Sequence, residues 1–297
     1  MNKPIFILLH GFSSSKIYWN YKDDGTYTLK KLNFLDNLKK IGYVYEYTMD
    51  FFNIMYYYTI KNIEENKRIH IIYEKYKPYT SKLNFKIEDL LYENICKDIH
   101  NKVTEKYGKN KKYILVCHSY GCVVGLLYSK IYKNECLFNV MIDSSPYYIE
   151  YFKQMLNSKY GKNEKKTVDE YLHNNEQLKT ILDKIKNKNE NDNVNKEINM
   201  VFDLISYLDW NERIKYYDKK LPIFTLCFRA IYPNTTDKSQ NKWNKWGLKE
   251  KKIFEKNNST NNFKYICMPN ANHFIWFNQK YSDDIINEIK KTLYKIM

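Results

Sequence analysis

The chain's 297 residues can bury one large core, and its formal charge of +15 raises nucleic acid or an anionic surface as partners. Both are set aside because only Arg68, Arg213 and Arg229 are arginines, the lysines are dispersed among Asn-, Ile- and Tyr-rich segments, and no nucleic-acid motif occurs. No run approaches the ~20 apolar residues of a membrane span, and six cysteines without regular spacing or metal-ligand pairing imply reduced thiols in a soluble, cytoplasmic chain that holds no metal.

Pro4 to Leu9 is a continuous apolar run, the pattern of a strand buried on both faces, and it ends at His10-Gly11-Phe12. Tyr27 to Lys40 carries Leu29, Leu32, Leu35 and Leu38 on one side and predicts a helix closed by Gly42, with a strand from Tyr43 to Met49 behind it. Residues 51–84 are rich in Tyr and Lys without a clean period and read as an insertion. A helix follows from Ile87 to Tyr107, with Leu90, Leu91, Ile95, Ile99 and Val103 at helical spacing. Tyr113 to Cys117 is the next buried strand, running through His118-Ser119-Tyr120-Gly121 into a helix from Cys122 to about Tyr132.

Leu137 to Ile142 is a further buried strand, ending at Asp143. From Tyr147 to Tyr217 the periodicity is helical and broken, around a polar low-complexity run at 186–193. Pro222 to Phe228 and Phe263 to Met268 restore strands, and Ser282-Asp283-Asp284 would cap a last helix with Ile285, Ile286, Ile289 and Leu293 on its apolar face. Strands alternating with helices predict an α/β fold, a mostly parallel sheet covered on both faces. Ligands bind such sheets at the carboxyl ends of the strands, where His10, Ser119, Asp143 and His273 all fall.

A serine on a sharp strand-to-helix turn needs small neighbours two residues to either side, and Cys117 and Gly121 supply them around Ser119. Here the chain resembles the α/β-hydrolase superfamily, whose pattern is Gly-x-Ser-x-Gly; Cys117 stands where the first glycine is usual. His10-Gly11-Phe12 is similar to the superfamily's oxyanion strand, and Met268 to Phe274 is similar to its general-base loop. The resemblance implies Ser119 as nucleophile, His273 as base, and the backbone N–H groups of Phe12 and Tyr120 as oxyanion hole, with His10, Gly11, His118 and Gly121 supporting the motifs. The two strands that usually precede the His-Gly strand in that superfamily are expected to be missing here.

The acid that orients His273 is open. The usual place, after the strand Pro222 to Phe228, holds no carboxylate until Asp237; Asp143 is the first candidate, because Ile142 to Pro146 looks like a bacterial esterase branch with its acid there, and Asp209 is the third. The domain organisation expected from the resemblance is a hydrolase core at 1–145 and 221–297 with a helical lid at 146–220. The function implied is cleavage of a small-molecule ester or thioester with an apolar acyl group, without a cofactor. A non-catalytic ligand- or partner-binding member and an acyltransferase are the alternatives.

Overall fold

In the computed structural model, residues 3–11, 16–23, 29–49, 87–144, 180, 208–216, 218–233 and 238–296 are described. Among them the strands are β1 (Ile5–Leu9), β2 (Tyr21–Asp23), β3 (Leu29–Lys31), β4 (Tyr43–Tyr47), β5 (Tyr113–His118), β6 (Cys136–Ile142), β7 (Thr225–Ile231) and β8 (Phe263–Pro269). Six of them make one parallel sheet in the order β4-β1-β5-β6-β7-β8, and β2 pairs antiparallel with β3.

Every residue of β1 and β5 is buried, which is why these strands read as unbroken apolar runs rather than as alternation. Phe6, Leu8, Ile114, Val116, Phe138, Val140, Ile142, Leu226 and Phe228 point to one face, where they pack with Phe34, Leu35 and Leu38 of the helix Phe34–Ile41 and Ile285, Ile286 and Ile289 of the helix Gln279–Ile296. The helix Tyr120–Ile131 packs against β5 and β1. The register sets Leu9 beside Cys117, Cys117 beside Met141, and Met141 beside Cys227. Two residues further on, Gly11, Ser119, Asp143 and Arg229 therefore lie in one row at the carboxyl end of the sheet.

Three expected elements change and one helix was not foreseen. The helix predicted from Tyr27 starts only at Phe34, because Leu29–Lys31 is strand and the Leu32 N–H donates to Asn20 O at 2.6 Å. The strand predicted at Pro222 to Phe228 is displaced to Thr225–Ile231, since Pro222 has no N–H for the ladder and Arg229 is accommodated inside it. A helix at Lys238–Asn257, with Gly247, Glu250 and Phe254 on its buried face, had no sequence expectation: glycine and glutamate hide the apolar stripe. The last helix begins at Gln279, so Ser282 lies inside it; the cap is Asn278, whose Oδ1 accepts the Lys280 N–H at 3.0 Å.

The chain divides into two compact units, residues 1–49, 96–147 and 218–297 in one and residues 50–95 and 148–217 in the other. Within the second, residues 208–216 are helical, and Asp209 accepts hydrogen bonds from Arg213 Nε at 2.8 Å and from the Tyr92 hydroxyl. The 51–84 insertion and the expected lid, apart from residues 180, 208–216 and 218–220, lie outside the described residues. Among the described residues no helix is long and apolar enough to cross a membrane.

The position of the cap gives a direct test. Asn278→Ala is expected to lower stability in urea unfolding by about 1 kcal/mol. Ser282→Ala should change it by less than about 0.5 kcal/mol, because Ser282 Oγ is buried without a hydrogen-bond partner among the described residues.

Candidate active site

Between β5 and the helix Tyr120–Ile131 the chain turns through Ser119 at φ 50°, ψ −114°, a strained conformation for a residue with a Cβ. The turn is held by the Ser119 N–H, which donates to Ile142 O at 3.2 Å, and by Ser119 O, which accepts from the Cys122 N–H at 3.1 Å. Ser119 thus sits at the N-terminus of the helix Tyr120–Ile131, where the helix dipole favours negative charge.

Two glycines let this turn close. A Cβ on Gly121 would overlap the carbonyl oxygens of Leu9 and His10, so only glycine lets the helix pass so near β1. A Cβ on Gly125 would overlap Cys117 Sγ. The cysteine in the usual glycine position is therefore accommodated by a second glycine one helical turn into the facing helix. Burial pushes the Cys117 and Cys122 thiols well above their ordinary range, which makes them filler rather than nucleophiles.

Asp143 follows β6 with its backbone at φ 40° and its side chain fully buried. Its Oδ2 accepts from His273 Nδ1 at 2.6 Å and from Trp243 Nε1 at 3.4 Å, and its Oδ1 accepts from the Ala230 N–H at 3.1 Å. With Nδ1 donating, the neutral imidazole of His273 keeps its lone pair on Nε2. The ring is part exposed, and Trp243 meets it edge-on at 5.7 Å between centroids. Ser119 and His273 make no hydrogen bond to one another among the described residues.

His118 links the two sides. It is buried, and its Nε2 donates to the backbone carbonyl of His273 at 3.0 Å, with the rings 4.4 Å apart. Burial first, then the neighbouring His273, holds its pKa well below the ordinary range, so it is a neutral donor. His10 is likewise spent on backbone, Nδ1 donating to Gly11 O at 2.9 Å and Nε2 accepting from the Met49 N–H at 3.2 Å. Burial lowers its pKa to about 4 against the pull of the Gly11 bond. Gly11 lies against Ser119, since a Cβ there would come within 3.1 Å of the serine Cβ.

Phe12 and Asp237 lie outside the described residues. The structure brings Asp143 to His273, and His273 beside the His118-Ser119 turn; Asp209 is engaged with Arg213 and Tyr92 in the other compact unit. Sequence reasoning missed Trp243 and Arg229, which touch Asp143, and Glu250, which accepts from the neighbouring Ser144. The available signal was Trp243-x-x-x-Gly247-x-x-Glu250-x-x-x-Phe254 at helical spacing. Among the described residues no group of three or more His, Cys, Asp or Glu side chains could hold a metal ion.

The sheet order and the elbow are those of the α/β-hydrolase fold. No protein-family model and no curated protein sequence matches the chain. Among solved structures it is similar to a carboxylesterase study structure from Nitrososphaera gargenis (9% identity, 99% of this chain and 92% of the other, TM-score 0.47). It is also similar to a monoacylglycerol lipase of Paleococcus ferrophilus (14%, 100% and 97%, TM-score 0.45) and a probable hydrolytic enzyme of Pseudomonas aeruginosa (12%, 96% and 87%, TM-score 0.49). At such identities the strand order and the turn at Ser119 carry the fold.

Two outcomes follow from the packing and from the buried histidines. Gly125→Ala should cost about 1–3 kcal/mol through overlap with Cys117, whereas in a Cys117→Gly background the same change should be neutral or stabilising by up to about 1 kcal/mol, read by a double-mutant cycle in urea. For pH, the His10 value is lowered in the fold, from 6.5 to about 4, so the unfolded chain binds the proton first as pH falls. That stability, on the order of 3 kcal/mol, is present above pH ~6.5 and lost down to pH ~4. Urea midpoints should fall through that window, and less steeply in His10→Asn.

Proposed function

We propose that this chain is a serine hydrolase that cleaves carboxylic ester or thioester bonds through an acyl-enzyme on Ser119. The observation that carries the reading is the His273–Asp143 hydrogen bond, formed next to a serine held at a strained strand-to-helix turn. In the proposed cycle Ser119 Oγ attacks the acyl carbonyl carbon while His273 Nε2 takes its proton. The backbone N–H groups of Tyr120 and Phe12 receive the oxyanion, and Asp143 keeps Nδ1 protonated and stabilises the imidazolium. Collapse of the tetrahedral intermediate breaks the C–O or C–S bond, and the leaving alkoxide or thiolate takes the proton from His273. Water then attacks the acyl-enzyme, giving its proton to His273 and releasing the acid with Ser119 restored.

An apolar acyl group is supported by the rings beside the base. Tyr18 stacks on Phe274 and Phe277, and Phe274 packs against both His118 and His273. Such rings offer apolar surface without a charge that a polar acyl chain would pair with.

A fluorophosphonate probe tests the nucleophile, and a p-nitrophenyl acyl ester the acid. Wild type should be labelled and Ser119→Ala should not, with unchanged circular dichroism. Asp143→Asn should lower kcat by about 10⁴-fold, the usual cost of losing the imidazole tautomer, and Asp237→Asn by less than about tenfold. A wild-type chain that neither labels nor turns over would instead support a ligand-binding member of the fold.

A further inference from the structure

The carboxylate of Asp143 is not alone in the interior. Arg229, near the end of β7, is 1% exposed, and its Nε lies 3.4 Å from Asp143 Oδ1 without hydrogen-bond alignment. Its other nitrogens donate to Ser144 O at 2.6 Å and Trp243 O at 3.3 Å, and the guanidinium lies over the Trp243 ring at 5.0 Å. Gly247 makes room for it, since a Cβ there would strike Arg229 Nε. Behind it stands Glu250, 2% exposed, 4.0 Å from Arg229 Nη1 and accepting hydrogen bonds from Ser144 Oγ at 2.7 Å and the Tyr265 hydroxyl at 2.9 Å.

A buried cation beside the acid of a triad poses a difficulty. If Arg229 faced Asp143 alone it would neutralise the charge that the imidazolium of His273 needs. Glu250 changes the count: two carboxylates share one guanidinium, leaving one negative charge in excess while His273 is neutral and none when it is protonated. Desolvation makes an unmatched buried charge expensive, so a set that balances only with His273 protonated favours the imidazolium formed during attack.

We propose that Arg229 and Glu250 are positioning residues of the active site: Arg229 holds the Asp143-Ser144 backbone and carboxylate in place, and Glu250 offsets the arginine charge so that Asp143 remains an effective partner for the His273 imidazolium. This rests on Ser119, His273 and Asp143 acting as proposed above. The other groups facing this set do not change charge near neutral pH. The Tyr232 phenol is pushed up by burial and then by Asp143, and the Tyr265 phenol by burial and then by Glu250. His118 stays neutral, and Arg229 is held above its ordinary value because Asp143 and Glu250 outweigh its burial.

The test is the pH dependence of the second-order rate constant for fluorophosphonate labelling of the full chain, whose acid limb reports the base. Glu250→Gln removes a negative charge and keeps hydrogen-bonding atoms in place; its midpoint should move to lower pH by about one unit. Arg229→Met removes a positive charge, and its midpoint should move to higher pH by a similar amount; Arg229→Lys should keep the wild-type midpoint with a lower plateau rate. If Arg229→Met does not fold, the Glu250→Gln shift decides. A lower rate with an unmoved midpoint in Glu250→Gln, or shifts of the same sign in both charge-removing variants, overturns the proposal and leaves Ser119 catalysis standing. Undiminished labelling of Ser119→Ala overturns both.

Discussion

A single hydrogen bond, His273 Nδ1 to Asp143 Oδ2 at 2.6 Å, joins two polar residues that stand 130 positions apart in the chain. Asp143 leaves β6, and His273 lies beyond the end of β8, with β7 between the two strands. The bond can form only because β6, β7 and β8 run parallel and in register, so that their carboxyl ends open on the same side. The left-handed backbone at Asp143 and at Ser119 is held by the same strand ends, through Asp143 N–H to Phe228 O and Ser119 N–H to Ile142 O. Local strain at both residues is thus supported by the most buried part of the molecule.

Burial sorts the three histidines near this point into different roles. His10 and His118 are enclosed, are driven to the neutral form, and spend their ring nitrogens on backbone groups. His273 keeps part of its ring exposed and its Nδ1 on a carboxylate. Of the three imidazoles it is thus His273 that keeps solvent access, while the other two brace the backbone around Gly11 and His273.

Cys117 and Arg229, both on strands of the sheet, are each accommodated by the packing of a covering helix. Gly125 leaves the space that Cys117 Sγ occupies, and Gly247 leaves the space for Arg229. In each case a side chain on a strand faces a glycine in a covering helix. Close packing makes such exchanges pairwise: volume added on one element must be removed from its neighbour.

The sequence by itself determined the class of fold and the two ends of the candidate site. Buried parallel strands announce themselves as apolar runs, and Ser119 and His273 each sit in a local motif directly after such a run. Asp143 was legible only as one of three carboxylates, because nothing local to it says which imidazole it will meet. What only the tertiary structure decided is the company Asp143 keeps. Arg229 reads as a loop residue although it lies inside β7, and Glu250 and Gly247 disguise the buried face of Lys238–Asn257. Their burial is offset by partners in other elements, and a hydrophobic pattern cannot show a charge made tolerable by a second charge distant in sequence.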